Sequence, residues 1–420
     1  MRVLKSMART TILGCVVSMV PVAAFAGGWS TEGIAGYDLL FAEERFGFEF
    51  QSTYGIRNVD FENASTTIDR GDGSGPVSTD LLPFDTDDSA DNVAANLWVG
   101  AGSVKFGLTD NLDFFARVSE PFEVRELPGL DWNGQFAVGE TKADSVAVDG
   151  MLSYKHEVSD GRFFRVFGGV RALQLSYGQA ANQLVDHPLY GPTPVGTSID
   201  ADSELQFGYR IGAAYEMPEI ALRALVAYES AIDVELDGVL SANGASQFAT
   251  YSSATLPQSI EAKIQSGVAP GWLVSLGVKW TDWSVLDSIS VDALNPVTGD
   301  LLLGDAVVRD LSYSDGWIVE AGVAHQLSDK LVIGGAVTWD KGIGGPYSDY
   351  YAFGLGGTYD IGEHVKLSLG GRAIYKTAGE GNYNIVKIDR STGDYNTVNT
   401  DYEYDSSWNF ALSTKLRFAF

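Results

Sequence analysis

After its first 26 residues the chain has no apolar run of the ~18 residues that a membrane-crossing helix needs. Apolar side chains nevertheless recur at every second position along most of its length. Phe46, Phe48 and Phe50 alternate with Gly47, Glu49 and Gln51. Leu205, Phe207, Tyr209, Ile211, Ala213 and Tyr215 alternate with Glu204, Gln206, Arg210 and Glu216. Trp272, Val274, Leu276, Val278 and Trp280 repeat the pattern, as do Val365, Leu367, Leu369 and Ala373. Successive side chains of a strand point to opposite faces, so each segment reads as a strand with one apolar and one small or polar face. Aromatic residues sit near the strand ends (Tyr54, Trp98, Tyr154, Tyr228, Trp280, Trp317, Trp339, Tyr359 and Trp408). Such placement matches the two interfacial girdles of a membrane barrel rather than a soluble sandwich.

Fourteen candidate strands can be counted, from 45–61 to 400–420. Short turns such as Thr109-Asp110-Asn111 and Met217-Pro218 alternate with long connections at roughly 62–91, 125–141, 179–197, 234–246, 286–305 and 379–399. An even strand number, short turns on one side and long loops on the other is the outer-membrane pattern. The fold class expected is all-β: a 14-stranded antiparallel transmembrane β-barrel over 45–420, in the bacterial outer membrane with both termini periplasmic. The last strand carries Trp408, Phe410, Leu412, Leu416, Phe418 and Phe420 on one face. It must pair with the first, because an open edge in lipid leaves backbone groups unsatisfied.

The start of the chain reads as a signal peptide over 1–26. Arg2, Lys5 and Arg9 precede an apolar run, and Ala24-Phe25-Ala26 gives a small-x-small cleavage site. Cleavage would remove Cys15, the one cysteine, and would lower the net charge from -27 by those three cations to -30. So acidic a chain is not expected to bind nucleic acid, and without a thiol it offers no cysteine nucleophile or cysteine metal site. Residues 27–44 show no alternation but contain Trp29, Ile34, Tyr37, Leu39, Leu40 and Phe41. That cluster would be costly to leave in water, so the segment is expected to fold into the lumen as a plug, or hatch, whose apolar residues line a pocket.

Several stretches resemble the FadL/TodX family of outer-membrane transporters of long-chain fatty acids and other hydrophobic compounds. They are "GYDLLFAEERFGFEF", "KFGLTDNLDFFARVSEPFEV", "RFFRVFGGVRALQL" and, most tellingly, "TLPQSIEAKIQSGVAPGWLVSLGVKWTDWSVLD". The resemblance implies passive transport without a cofactor. Substrate is caught among extracellular loops, passes to a pocket at the hatch, and leaves sideways through the wall at an irregular third strand. It also implies a monomer. The family's Asn-Pro-Ala tripeptide is missing from 27–44. By further resemblance, the C-terminal strand ending on Phe420 is a signal for the barrel-assembly machinery.

Four groups of residues are candidates. Leu184, Leu189 and Tyr190, with Val239 and Leu240, are apolar residues in acidic loops and could form a capture groove. Glu120 and Pro121 mark strand three, where proline cannot donate a ladder hydrogen bond and a lateral opening could form. Arg117, Arg171 and Arg210 fall on the lumen parity and could meet a fatty-acid carboxylate in two-point fashion, unless they serve only a self-compensating ion-pair lining. The acidic loop with Asp80, Asp85, Asp87, Asp88 and Asp91 reads as a solvated face, although divalent ions could bridge it to lipopolysaccharide phosphates. Rival readings are a general diffusion porin for small hydrophilic solutes, a structural barrel, and an enzyme. The last would rest on His187 beside Asp186, which is no triad.

Overall fold

The computed structural model describes residues 28–34, 37–71, 73, 75–79, 86–187, 189, 191–295, 297–389 and 394–420. The expected signal peptide lies outside them. Fourteen strands close on themselves by antiparallel pairing. We number them β1 (Phe46–Ile56), β2 (Leu97–Gly107), β3 (Leu112–Ser119 and Glu123–Glu126), β4 (Glu140–Ser159), β5 (Arg162–His187), β6 (Gln206–Met217) and β7 (Leu222–Glu229). They continue as β8 (Ser259–Ala269), β9 (Trp272–Thr281), β10 (Gly316–Ser328), β11 (Leu331–Asp340), β12 (Tyr350–Asp360), β13 (Val365–Lys376) and β14 (Ser407–Ala419). The ring closes where β1 pairs with β14, Phe48 opposite Phe418 and Tyr54 opposite Leu412. Phe46 and Phe420 exchange both backbone hydrogen bonds at 3.1 and 2.8 Å, so no edge remains at the β1–β14 seam.

The side-chain alternation sorts as period two requires. Along β14, Trp408, Phe410 and Leu412 are exposed toward lipid, whereas Asn409, Ala411, Ser413, Lys415 and Arg417 are buried toward the lumen. Aromatic pairs bridge neighbouring strands at the outer rim, with ring centroids 5.6 Å apart for Tyr54 and Trp98 and 5.2 Å for Tyr375 and Trp408. Phe420 stacks on His364 at 5.0 Å at the opposite rim. No helix among the described residues is long and apolar enough to cross a membrane; the strands do the crossing.

The long connections depart from expectation. They are not mainly loops but a second, extracellular tier of strands: Glu62–Asp69, Gly191–Ser203, Ile232–Ala242, Ala245–Leu256, Ser288–Leu294, Leu301–Asp310, Gly379–Asp389 and Asp394–Tyr404. β5 runs unbroken into this tier and pairs with Gly191–Ser203, and antiparallel pairing continues segment by segment to Glu62–Asp69. Once above the lipid, a strand edge still has unpaired backbone groups, and neighbouring excursions satisfy one another. The tier has its own apolar cores, one built on Val234, Leu236, Ile289 and Val291, another on Phe61, Trp132, Tyr383 and Tyr402.

Candidate functional site in the barrel lumen

The N-terminal segment sits inside the ring. Its described large apolar side chains are buried, from Leu40 at 0 % exposure to Ile34 at 8 %. Ile34, Tyr37, Leu39, Leu40 and Phe41 pack against Phe115, Met151, Phe167, Leu225 and Ile318, which reach inward from β3, β4, β5, β7 and β10. Tyr37 lies 5.3 Å from the Phe167 ring and Phe41 lies 3.9 Å beneath the Arg223 guanidinium. Trp29 belongs to the tier above, stacked near Tyr177 at 6.4 Å with its indole N–H 3.3 Å from the Tyr313 hydroxyl. The inward apolar patch escaped the sequence reading, which took the lumen parity as small or polar. Phe115, Met151 and Phe167 on that parity were the available signal.

Strand three is broken where Pro121 stands. Ser119 pairs with Ala147 of β4, but Glu123 pairs with Asp144, so the register slips by one residue across Glu120–Phe122. The Ser145 hydroxyl spans the slip, accepting from the Phe122 N–H at 2.8 Å and donating to its carbonyl at 2.9 Å. Toward β2 the ladder ends at Ala101 opposite Ser119 and resumes only at Ala94 opposite Glu126. Between those pairs the wall has no β2–β3 backbone pairing among the described residues. The Gly100 N–H is instead met by the Glu120 carboxylate at 2.7 Å.

The N-terminal segment occupies the free edge. Phe122 directs its backbone groups to β4, so the Pro121 carbonyl and Glu123 N–H face the other way. Thr31 N–H donates to Pro121 at 2.9 Å, and Glu123 N–H donates to the Trp29 carbonyl at 2.8 Å. The Thr31 hydroxyl donates to the Glu120 carbonyl. Beside the gap, Leu97, Val99, Tyr350, Ala352, Ile374 and Ala411 form an apolar strip on the lumen side. Above it, the Glu126 carboxylate accepts from Tyr347 at 3.0 Å, Tyr383 at 3.1 Å and Arg309 at 3.3 Å.

The three lumen arginines converge on a carboxylate of the chain itself. Glu32 of the N-terminal segment receives Arg210 at 2.6 Å, Arg171 at 3.1 Å, Arg117 at 3.4 Å and the Ser119 hydroxyl at 3.1 Å. Asp149 and Glu229 complete the cluster, each touching both Arg171 and Arg210. Lys279 Nζ stands 3.5 Å from the carbonyls of Glu32 and Gly33. Burial alone would push the Glu32 carboxyl up, yet Arg171, Arg210, Arg117 and Lys279 hold it well below the usual carboxylate range. A second tether joins Asp38 to Arg223 at 3.7 Å and Lys415 at 4.0 Å. The cavity left beside Glu32 measures about 60 Å3, room for a few waters but not for an acyl chain or aromatic ring.

The loop candidates do not form one group. Leu184 packs in the Phe61 core and Leu240 against the Val234 core. Leu189 is 82 % exposed at its hairpin tip, and Val239 is exposed on the outer face. Tyr190 and the side chains of Asp186 and His187 lie outside the described residues, as do Asp80 and Asp85 of the acidic loop. No group of His, Cys, Asp or Glu among the described residues is arranged to hold a metal ion.

Similar architecture recurs in solved structures. A Pseudomonas aeruginosa FadL homologue superposes with a TM-score of 0.69 at 15 % identity, over 90 % of this chain and 91 % of that one. The P. putida toluene transporter TodX gives 0.58 at 13 % identity, over 94 % and 96 %. The Ralstonia pickettii toluene transporter TbuX gives 0.52 at 14 % identity, over 95 % and 99 %. These likenesses concern the fold. No curated protein sequence is similar enough to match. The family model for outer membrane protein transport proteins (OMPP1/FadL/TodX) matches residues 48–418, which is nearly the entire barrel, and the chain therefore belongs to that family of outer-membrane transporters of hydrophobic compounds.

Proposed function

We propose that this protein passively carries long-chain fatty acids or similar hydrophobic compounds across the outer membrane, with capture among the extracellular hairpins, gating by the N-terminal hatch and lateral exit through the wall. One observation carries this reading. Strand three parts from β2 beside an apolar strip, and the backbone of the N-terminal segment is seated in that break. An apolar molecule can leave through such an opening directly into lipid, without crossing the polar lower lumen. Solved relatives described as a FadL homologue and as toluene transporters share the architecture, which supports a hydrophobic substrate. Leu189 and Val239 are exposed on the extracellular hairpins, where first contact would be made. A general diffusion porin calls for an open aqueous lumen, whereas the described residues of the N-terminal segment, 28–34 and 37–44, occupy this one.

The test is uptake of a radiolabelled long-chain fatty acid, and in parallel of toluene, by cells lacking their own outer-membrane transporter. Expression of the chain should restore uptake of at least one, and deletion of 27–44 should abolish its control. Free passage of small sugars through the intact protein, with neither hydrophobe taken up, would overturn the reading.

A further inference from the structure

The arginines placed to receive a substrate carboxylate already hold one, and it belongs to the hatch. Glu32 is bound as a ligand would be. Arg210 and Arg171 meet Oε2, while Arg117 and Ser119 meet Oε1. Charge counting shows what its departure would leave. Three guanidinium groups, Arg117, Arg171 and Arg210, touch Glu32, and among the described residues the wall carboxylates seen to pair with those arginines are Asp149 and Glu229; Lys279 and Glu261, which line the same cavity, add one charge of each sign. Among the described residues Glu32 is the one ion-pair partner of Arg117. Arg171 and Arg210 are 1 % and 3 % exposed, so leaving them without that carboxylate is costly. The wall is built one negative charge short, and the hatch supplies it.

Release of Glu32 would leave these arginines short of one negative charge unless another anion of similar geometry took its place. Glu32 is followed by one more residue of contact, Gly33, and preceded by Trp29–Thr31, the segment that closes the gap at Pro121 and Glu123. A head group that displaces Glu32 thus acts on the residues that plug the wall. Resting on the hatch-gated reading above, we propose that Glu32 is a self-ligand in a carboxylate site, and that the carboxylate of an incoming hydrophobic acid exchanges with it and frees the hatch. A neutral hydrocarbon carries no charge to offer in exchange and does not release the latch by this route.

With Cys15 in the expected signal peptide, the mature chain has no thiol, so Ser30→Cys gives a single reporter in the seated segment. The purified barrel in nonionic detergent is treated with a water-soluble maleimide, alone and with dodecanoate, dodecanol or acetate at equal concentration. Dodecanoate should raise the labelling rate at least about tenfold, and dodecanol and acetate should leave it unchanged. Glu32→Gln in the same background should label fast without ligand and no longer respond to dodecanoate. Equal acceleration by dodecanol would overturn carboxylate exchange, and equal acceleration by acetate would overturn recognition of a hydrophobic acid. Slow, ligand-independent labelling of Glu32→Gln would show that Glu32 is no latch. The wild-type cage decides the question even if Glu32→Gln folds poorly. These readings are made without uptake, so loss of the latch with uptake intact is distinct from failure of transport.

Discussion

The backbone N–H of Thr31 donates to the carbonyl of Pro121 at 2.9 Å, so a residue of the N-terminal segment takes the position a wall strand would otherwise hold. The flanking pairs Ala101–Ser119 and Ala94–Glu126 lie the same number of residues apart on both strands. Register therefore does not keep β2 and β3 apart. What does is local: proline at 121 without an N–H, the Glu120 carboxylate on Gly100, and the seated Trp29–Thr31. Pro121→Ala supplies the missing donor and should let the ladder advance from Ala101 toward Ala94. Each hydrogen bond gained is worth about 1 kcal/mol. Uptake should fall severalfold while resistance to thermal unfolding on gels is kept or rises. Unchanged uptake by a stably folded Pro121→Ala protein would mean that this break is not the exit.

The two tethers of the N-terminal segment should make its docking insensitive to mild acid. Burial would raise the carboxyls of Glu32 and Asp38, but the facing cations outweigh it and hold both below the usual range. Around Glu32 these are Arg171, Arg210, Arg117 and Lys279, with Asp149 and Glu229 opposing; around Asp38 they are Lys263, Lys415, Arg417 and Arg223. A depressed carboxylate contributes its stability above the unfolded value and loses it as pH falls through the folded one. Amide exchange of 29–31 should thus be flat from neutral pH down to the ordinary carboxylate range, once corrected for intrinsic rates. It should quicken only in stronger acid. A transition near pH 6 would contradict the ion-pair account.

Much of this fold was legible because lipid enforces simple rules. Closure, strand number and the outward aromatic rows follow from period-two patterning, since a lipid-facing side chain has only one acceptable chemistry. The burial of Leu39, Leu40 and Phe41 followed from their cost in water. Other features were hidden because they depend on distant residues meeting. Glu32 carried no signal: one of four acids in a segment without periodicity, it gains meaning only when Arg117, Arg171, Arg210 and Lys279 arrive from β3, β5, β6 and β9. The connections looked like loops because strands paired outside lipid need no continuous apolar face. Pro121 did announce the irregularity of strand three, but not that Trp29–Thr31 would fill it.

Depth along the lipid face sets the cost of a charge, which gives a test of membrane position. Leu355 stands at the centre of β12 and is 78 % exposed, while Tyr359 lies near the end of the same strand. Leu355→Arg should destabilise the barrel by about 2–4 kcal/mol in lipid vesicles, and Tyr359→Arg by about 0–1 kcal/mol. Denaturant titration of the refolded protein measures both. Equal penalties would place the apolar band elsewhere on the wall.

The packing of the N-terminal segment should decide whether the lumen conducts water-soluble molecules. Leu40 is fully buried among Phe115, Met151, Phe167 and Leu225, side chains that come from four wall strands. Leu40→Asp puts a carboxyl into that patch without a counter-ion, at a cost of several kcal/mol unless the segment leaves its seat. All fourteen strands pair around the ring, β2 with β3 through Ala101–Ser119 to Gly107–Asp113, so the wall can remain a barrel without the segment. The variant should therefore still insert and migrate as a folded barrel, but liposomes containing it should swell in small sugars as porin liposomes do. Leu40→Met, which nearly conserves volume and costs under about 1.5 kcal/mol, should stay closed. If Leu40→Asp remains as impermeable as the unaltered protein while folded, the plug is held by its ionic tethers alone and the apolar patch contributes little to closure.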